Sequence, residues 1–350
     1  MILRRIRGRV HRGWISKLIV VVCPSFESIR GTVLDVLFSG AHGFSALIET
    51  QIEGDEPHYT LFDTGPESKS IARNIAAMHI PVEKISRVVL SHWHSDHSGG
   101  ILSFLNVRRQ KISSLGPNHT PTPPPCVVDL HPDRPIARGI APNGPEKVMG
   151  QLNPDPTFEE IEEAGGVVEK RGEGHAVAGG GVWVSGEIPR LTWFEEGLHI
   201  GAVRFFEEEG EAKGKWVLEQ HIMDERYAAI DVAGKGLVIF SSCSHAGIVN
   251  VVRDAIKTFN RPVHMIIGGL HLASSDLLYR IAPTVEFFST KMRPSPTYVL
   301  PMHCTGFTAK VALEKALGEG CVPASTGMRI EVVGDREVDK GMFPPVVEDD

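Results

Sequence analysis

The sequence predicts an α/β fold, and two features carry that prediction. Short hydrophobic runs bounded by glycine and polar residues alternate with segments in which apolar residues recur at helical spacing. Runs typical of buried strands also end repeatedly in a polar turn that leads into a helical pattern, as at 236–256 and 298–317. The 350 residues would accommodate two average domains, but α/β folds often use this length for one.

The N-terminal part of the chain is predicted to form a basic lead-in followed by consecutive strands. Residues 1–17 contain six basic residues and no acid. An organelle transit segment is one explanation for such a composition, but the serine-richness typical of transit segments is missing, so we favour a basic lead-in. Hydrophobic runs then predict strands at 18–22, 32–37, 44–50 and 59–62.

The remaining elements follow from the same patterns. A helix is predicted at 67–78, a strand at 85–90, a short helix at 101–107, strands at 236–240, 263–267 and 298–300, and helices at 248–256 and 307–317. Between these elements, residues 116–145 contain so many prolines that most of the segment should lack regular structure, and we expect a wall over the site there. Residues 151–230 alternate glutamate-rich patches with short β-like runs, which predicts hairpins and solvated faces.

The stretch 91–100 carries the strongest functional signal in the chain. Three histidines and one aspartate fall within six positions, directly after the strand predicted at 85–90. Alternate side chains of a strand point to one face, so His92 and His94 should project together. Asp96 and His97 follow in the turn, where they can approach a second metal position. A solvated histidine-rich loop is the alternative, but the motif and its strand-to-turn context agree.

Ligand type narrows the choice of metal without fixing it. Three imidazoles and one carboxylate suit Zn²⁺ and also tolerate Fe or Mn. We therefore expect a pair of zinc ions, with Fe or Mn as alternatives.

The segment 92–97 has the HxHxDH form and resembles the metallo-β-lactamase superfamily. Residues 62–65 look like the family's FDTG turn, and 299–306 look like the late strand end that supplies a distant histidine ligand. Three further stretches resemble the branch of the dihydropterin (methanopterin-pathway) synthase-like proteins: 41–45, 242–250 and 268–272. The resemblance implies a four-layer αββα sandwich with a metal site at one edge of its two sheets.

The resemblance covers about residues 32 to 330 and so favours a single domain. We expect this domain at 18–335, with insertions at 116–145 and 151–230. The segments outside it are the lead-in and a C-terminal tail: 1–17 and 336–350.

The resemblance also implies the ligands of two metals. One ion would be bound by His92, His94 and His245, and the other by Asp96, His97 and His303. Many superfamily members place a bridging aspartate at the strand end that here continues as 241–245, and no aspartate stands there. Cys243 or His245 would fill that position, or a hydroxide alone would bridge. A buried, inert thiol is an equally good interpretation of Cys243.

Other polar residues are candidates for catalysis or support. Asp96 and His271 are the candidate catalytic residues, with His271 expected to contact the substrate or protonate a leaving group, although it would also suit a simple turn cap. Asp63 is expected to orient a ligating histidine. Weaker candidates are His42 near the site, His131 as a substitute ligand, and the branch-specific substrate contacts Glu187, Arg190 and Asp224, for which solvated surface charge is the competing interpretation.

Composition argues against several classes of partner. The net charge is −7 and no long basic stripe follows the N-terminus, which disfavours nucleic acid. No apolar run approaches the roughly 18 residues needed to span a bilayer. The five cysteines are odd in number and widely separated, so a disulfide framework is not expected and a reducing, cytoplasmic location fits.

These features predict a metal-dependent hydrolase that uses an activated water on a small lactam, lactone, ester or thioester. The first alternative is a synthase-like transferase that joins a dihydropterin to an aminobenzene-ribosyl phosphate. That reaction needs a phosphate pocket, for which Arg190 and the helix N-terminus at Gly247 are candidates. The second alternative is a metal-binding scaffold without turnover. The sequence does not predict an oligomeric state.

Overall fold

The computed structural model describes residues 15–22, 41–66, 68–116, 120–199, 201–207 and 214–348. The strand predicted at 32–37 and most of the basic lead-in lie outside the described residues. The strands are β1 (Ile15–Val22), β2 (Ala46–Ile52), β3 (His58–Phe62), β4 (Arg87–Val89), β5 (Val127–Leu130), β6 (Ala137–Ile140), β7 (Gly150–Gln151), β8 (Val167–Lys170), β9 (His175–Val177), β10 (Val182–Val184), β11 (Ala202–Phe206), β12 (Lys215–Leu218), β13 (Ala228–Val232), β14 (Gly236–Ser241), β15 (Val263–Gly269), β16 (Met292–Arg293), β17 (Tyr298–Met302), β18 (Met328–Val333) and β19 (Val346–Val347).

The helices are α1 (Ser68–Ala77), α2 (Ser95–Ser98), α3 (Ile101–Leu115), α4 (Phe158–Glu163), α5 (Ile248–Phe259), α6 (Ile281–Glu286), α7 (Phe307–Leu317) and α8 (Arg336–Asp339). Short 3-10 helices lie at Val82–Lys84, Ala178–Gly180, Ser275–Arg280, His303–Thr305 and Gly318–Gly320, and a π-helical turn lies at Phe287–Lys291. The helix that the sequence predicts at 101–107 continues to Leu115.

The main β-structure consists of two sheets joined at one position. The first has the order β18-β1-β2-β3-β4-β5-β8, and the second has the order β9-β10-β13-β14-β15-β17. The join is a single pair, Ile15 with Val232, between β1 and β13. Because so little pairing connects them, the two sheets can turn their inner faces toward each other.

Buried side chains show that the sheets form the two middle layers of four. Neighbouring residues of a strand point to opposite faces, and Phe62 accordingly packs between the sheets with Phe240, while Leu61 packs outward. The outward face of the first sheet is covered by α1, α3 and α4, through residues such as Phe104. The outward face of the second is covered by α5, α6 and α7, through residues such as Val252. This arrangement confirms the predicted αββα sandwich.

Helix α5 illustrates how the sequence produces these layers. Its apolar residues recur at helical spacing and are buried against β14 and β15, as the pattern at 248–256 predicts. The helix ends at Asn260, which adopts a left-handed conformation with φ 57° and lets the chain turn into β15.

The predicted insertions contribute both to the main sheets and to a separate one. β6, β7, β11 and β12 form a four-stranded antiparallel sheet in the order β12-β11-β6-β7. The proline-rich segment 116–145 therefore contains two strands, β5 and β6, within otherwise irregular chain. The segment predicted as a C-terminal tail carries α8, and its β19 pairs with β16.

Two further observations bear on the sequence predictions. No helix within the described ranges is long and apolar enough to cross a membrane. The four cysteines in the described part of the chain, Cys126, Cys243, Cys304 and Cys321, are all free and buried.

Candidate metal centre

Five strands end at one edge of the sandwich and bring histidine, aspartate and cysteine side chains together there. β3 and β4 are parallel, and so are β14, β15 and β17, so within each sheet these carboxyl ends lie at a common edge. The chain turns sharply just after four of these strands. The residues that take positive φ angles there are Asp63 (59°), Ser244 (61°), His271 (51°) and His303 (48°).

A first set of donors consists of three imidazoles. His92 Nε2 lies 2.9 Å from His94 Nδ1 and 3.2 Å from His245 Nε2. His92 and His245 are buried, and His94 is half-buried. Three ring nitrogens from two separate strand ends therefore face one point.

A second set combines one carboxylate and two imidazoles. Asp96 Oδ2 lies 3.4 Å from His97 Nε2 and 3.3 Å from His303 Nε2. His42 stands at the outer side of this set, with Nε2 3.7 Å from the same carboxylate oxygen and most of its side chain exposed. His42 also packs its ring 4.4 Å from the ring of His303, measured between centroids.

Cys243 lies between the two sets. Its sulfur is grouped with the donors of His92 and His245 on one side and with those of His97 and His303 on the other, all within 4.8 Å of one another in each group. Sγ is 3.3 Å from His303 Nε2. The thiol thus stands where a ligand shared by both sets would stand.

The donor separations of the second set match those around a metal ion. A tetrahedral zinc ion with Zn–N distances of about 2.0–2.1 Å separates neighbouring ligand atoms by about 3.4 Å, and the second set has separations of 3.4 and 3.3 Å. The first set is tighter, at 2.9 and 3.2 Å, which are also hydrogen-bond distances. His97 Nε2 is buried and has no hydrogen-bond partner among the described residues. Its 3.4 Å approach to Asp96 is longer than a good hydrogen bond. A buried ring nitrogen that makes no hydrogen bond is suited to binding a cation.

Hydrogen bonds behind the ligands fix which ring nitrogen faces the centre. Asp63 Oδ2 lies 2.8 Å from His97 Nδ1, and because an ionised carboxylate only accepts, Nδ1 carries the proton. Ser91 donates to the same carboxylate from its backbone N–H (2.7 Å) and its hydroxyl (2.8 Å). The Ser91 hydroxyl oxygen also lies 2.9 Å from His92 Nδ1. Nε2 of both histidines is therefore turned toward the candidate metal positions.

Burial keeps the first set neutral. It lowers the pKa of His92 and of His245 far below the usual imidazole value, and it lowers the pKa of His94 to about 3. Neutral imidazoles retain a lone pair for a metal.

The second set is charged. Burial alone would raise the pKa of Asp96, but His97 and His303 lower it well below its usual value. Burial alone would lower the pKa of His97, but the carboxylates of Asp96 and Asp63 raise it well above its usual value. The carboxylate is therefore available as an anionic ligand, while a metal bound here would have to displace any proton on His97 Nε2.

Comparison with known proteins identifies the family. A profile of the Metallo-beta-lactamase superfamily matches residues 42–192. A curated relative from Methanocaldococcus jannaschii, named 7,8-dihydropterin-6-methyl-4-(beta-D-ribofuranosyl)-aminobenzene-5'-phosphate synthase, is 31% identical over 278 residues, covering 78% of this chain and 84% of the relative. The chain belongs to the metallo-β-lactamase superfamily.

Two more comparisons found similar proteins. An uncharacterized protein of the same organism is 28% identical over 280 residues, which cover 79% of this chain and 89% of that protein. A crystal structure described as a metal-dependent hydrolase of the beta-lactamase superfamily has a TM-score of 0.63 at 23% identity and covers 90% of this chain and 99% of that one, a likeness that concerns the fold.

Three candidates for substrate or metal contact share no hydrogen bond with the two donor sets among the described contacts. Glu187 is exposed. Arg190 donates to the carbonyl oxygens of Ile188 and Ile222, each at 3.3 Å. His131 belongs to no potential metal-ligand group of the described residues, and its Nδ1 accepts from the backbone N–H of Asp133 at 3.2 Å.

Asp224 lies beneath the HxHxDH turn and is fully buried, so its interpretation as solvated surface charge is wrong. It accepts from the backbone N–H of Trp93 at 2.6 Å and from Arg138 at 2.6 Å. Arg138 also donates to the carbonyl oxygen of Trp93 and to Glu219. One buried ion pair therefore binds both backbone groups of the residue between His92 and His94.

The helix N-terminus at Gly247 is not open to a phosphate. The buried carboxylate of Glu195 accepts from the backbone N–H groups of Val249 (2.8 Å) and Asn250 (2.9 Å). The expectation of an anion pocket there is wrong, because the chain supplies its own carboxylate to this terminus.

Several residues that shape the centre are absent from the sequence predictions. Glu225 accepts from the backbone N–H groups of His245 and Ala246, both at 2.7 Å, and so fixes the turn that carries His245. Cys304 places its sulfur 3.4 Å from that of Cys243. Cys304 directly follows the candidate ligand His303, and this position could have identified it as part of the centre. Glu225 and Arg138 could not be identified from local sequence, because their partners are distant in the chain.

Proposed function

We propose that the protein is a metal-dependent hydrolase that uses an activated water on a small cyclic amide or ester-type substrate, such as a lactam, lactone, ester or thioester. The observation that carries the proposal is the convergence of two three-donor sets from separate strand ends on one buried centre. Three protein ligands with an open position are typical of catalytic rather than structural zinc sites.

In this proposal, His92, His94 and His245 hold one ion, and Asp96, His97 and His303 hold the other. Zinc bound in such a site would lower the pKa of a water to about 7 and so supply a nucleophile at neutral pH. Fe or Mn would also be compatible with these ligands.

The chain's own residues set the orientation of the ligands. Asp63 keeps the proton on Nδ1 of His97, so that Nε2 faces the centre. Glu225 holds the backbone of the turn that presents His245. The Asp224–Arg138 pair holds the turn between His92 and His94.

We assign the transfer of a proton to the leaving group to His271. Its ring packs against that of His245, with centroids 4.5 Å apart, so it lies beside the first donor set. Histidine is the side chain that most often acts as a general acid or base in enzymes.

Metal content and turnover should be lost together when a ligand is removed. His92→Ala and Asp96→Ala are tested for bound metal by elemental analysis and for hydrolysis of a panel of lactams, lactones, esters and thioesters. His264→Ala serves as the matched control, since His264 lies on β15 with its ring against Tyr298 and belongs to no donor set of the described residues. Hydrolysis that persists undiminished in a metal-free variant would refute the proposal.

A synthase-like transferase is the second candidate, and the relative from Methanocaldococcus jannaschii favours it. That relative is named for making a dihydropterin linked to an aminobenzene-ribosyl phosphate and matches 78% of this chain. In such a reaction, metals bound by the two donor sets would assist the departure of a leaving group instead of activating a water. The capped helix terminus at Gly247 requires that a phosphate bind elsewhere.

Thermal protection distinguishes the two candidates. Aminobenzene-ribosyl phosphate that raises the melting temperature, while neutral lactams and lactones do not, would favour the transferase. Protection by the neutral ligands together with their turnover would favour the hydrolase.

A further inference from the structure

Two cysteines lie together beside the metal centre, and neither donor set needs them. Cys243 Sγ and Cys304 Sγ are 3.4 Å apart, and Cys304 also approaches the carbonyl oxygen of Cys243 at 3.3 Å. Both are free thiols buried within the sandwich edge. His271 completes a group in which one donor atom from each residue lies within 4.8 Å of the other two.

The donor types of this group differ from those of the other two. Thiolate sulfur favours soft and borderline ions such as Zn²⁺, Cd²⁺ or Cu⁺. With Zn–S of about 2.3 Å and Zn–N of about 2.0–2.1 Å, neighbouring ligand atoms around a tetrahedral ion lie about 3.4 to 3.8 Å apart. For two sulfur ligands the value is about 3.8 Å, so the observed separation of 3.4 Å would widen slightly when an ion binds.

A second observation concerns the histidine of this group. His271 Nδ1 is buried and has no hydrogen-bond partner among the described residues. A buried ring nitrogen without a partner carries the free-energy cost of lost hydration unless something pairs with it.

The backbone is shaped to let the sulfur approach. A Cβ atom on Gly269 would lie 2.6 Å from Cys304 Sγ and 2.6 Å from the backbone oxygen of Ser242, closer than real contacts allow, so only glycine fits there. The sulfur and the neighbouring strand end together require the second glycine of the motif at 268–272.

We propose that Cys243, Cys304 and His271 form a thiolate-rich subsite for a soft divalent cation, beside the two nitrogen and oxygen sets. Each of those sets keeps three donors of its own, so Cys243 remains available as a ligand of the thiolate-rich subsite. The subsite shares His271 with the proposed hydrolysis, in which that residue is the proton donor, but none of its three residues is a metal ligand in that proposal, so the inference does not rest on it. Binding of the cation replaces the two thiol protons with two metal–sulfur bonds and releases both protons to solvent.

The full-length protein is titrated with Cd²⁺ under a non-thiol reductant, and the thiolate-to-cadmium charge-transfer absorption in the ultraviolet is followed together with metal content. Nitrogen and oxygen ligands do not give this band, so it reports the sulfur ligands alone. We expect a band with the intensity of two thiolates in wild type and about half of it in Cys304→Ser or Cys243→Ser, because each variant keeps one sulfur ligand. Cys126→Ser, which removes a buried free thiol elsewhere, should leave the band unchanged.

Two further variants distinguish metal binding at this subsite from metal binding at the two donor sets of the proposed function. His271→Ala should lower the affinity for Cd²⁺ that is measured from the charge-transfer band. The double variant His94→Ala/His97→Ala should lose the metals of the other two sets and retain the band. Circular dichroism checks that each variant is folded, and Cys304→Ala supplies a second replacement if the serine is not tolerated.

Three results would overturn the inference. They are a wild-type protein that gives no thiolate band, a Cys304→Ser variant with full intensity, or a loss of the band in His94→Ala/His97→Ala. The second and third would mean that Cys243 serves the nitrogen and oxygen sets as a shared ligand. In each case, a requirement for His92 and Asp96 in metal binding and turnover would leave the proposed function standing.

Discussion

Replacing Asp63 with asparagine should weaken metal binding while leaving the fold intact. The carboxylate of Asp63 is fully buried and accepts three hydrogen bonds, two from Ser91 and one from His97 Nδ1. Asp63 has a φ of 59°, a conformation that asparagine tolerates and alanine does not. Asparagine is thus the least disruptive replacement at this position that removes the charge.

The magnitude follows from one lost charge-assisted hydrogen bond. The amide oxygen of asparagine can still accept from the Ser91 N–H, but its NH₂ group then faces His97 Nδ1–H, and two donors cannot pair. His97 must either lose that bond or move its proton to Nε2, which faces the metal position. A hydrogen bond to a charged group contributes about 1.5–3 kcal/mol, and losses of support behind a metal ligand typically reduce affinity about 10- to 100-fold.

Competition with a chromogenic chelator measures the affinity for Zn²⁺ directly. We expect Asp63→Asn to bind about 10- to 100-fold more weakly than wild type. Asp254→Asn is the matched control, because Asp254 accepts from the hydroxyl of Tyr227 and is bonded to no candidate ligand in the described contacts. An Asp63→Asn affinity equal to wild type, with metal binding still dependent on His92, would refute the reasoning.

Three other substitutions test the surroundings of the centre. Arg138→Lys loses the planar guanidinium that holds the turn between His92 and His94. The affinity for Zn²⁺ should therefore fall about tenfold in the same chelator assay. An unchanged affinity would show that this ion pair is not needed for metal binding. Burial raises the pKa of Asp155 from 3.8 to about 6, so the ionised group costs wild-type stability as the pH rises from about 4 to about 6. Asp155→Asn lacks that loss, and its free energy of unfolding relative to wild type should increase over this range by up to about 3 kcal/mol in urea denaturation, whereas a constant difference would contradict the burial argument. A Cβ on Gly247 would lie 2.1 Å from the carboxylate carbon of Glu195, while one on Gly318 meets nothing within 4 Å. Gly247→Ala should therefore be about 2 kcal/mol less stable than Gly318→Ala. Equal urea midpoints for the two variants would rule out this contact.

The local sequence predicts those candidate ligands that directly follow a strand. The 92–97 motif follows a short buried strand, so alternation places His92 and His94 on one side before any tertiary structure is known. The family resemblance adds His245 and His303, which lie close to that motif in the fold. The resemblance also leads us to expect a contact between Asp63 and a ligating histidine, and the structure contains that contact.

The contacts that hold the ligand-bearing turns in place cannot be predicted from local sequence, because they join residues that are distant in the chain. Arg138 reaches Asp224 across 86 positions, and Glu225 reaches His245 across 20. Nothing in the composition of the insertion at 116–145 indicates that one of its strands carries a buried charge beneath the motif turn. The expectation for the helix terminus at Gly247 fails similarly, because Glu195 lies in a segment whose glutamates the composition predicts to be solvated.

Anomalous X-ray diffraction at the absorption edge of the metal found in the purified protein tests the central claim most directly. We predict one strong peak among His92, His94 and His245 and another among Asp96, His97 and His303, in addition to any peak at the thiolate-rich subsite. Peaks located elsewhere in the molecule, or none at this edge of the sandwich in metal-replete and active protein, would contradict the account.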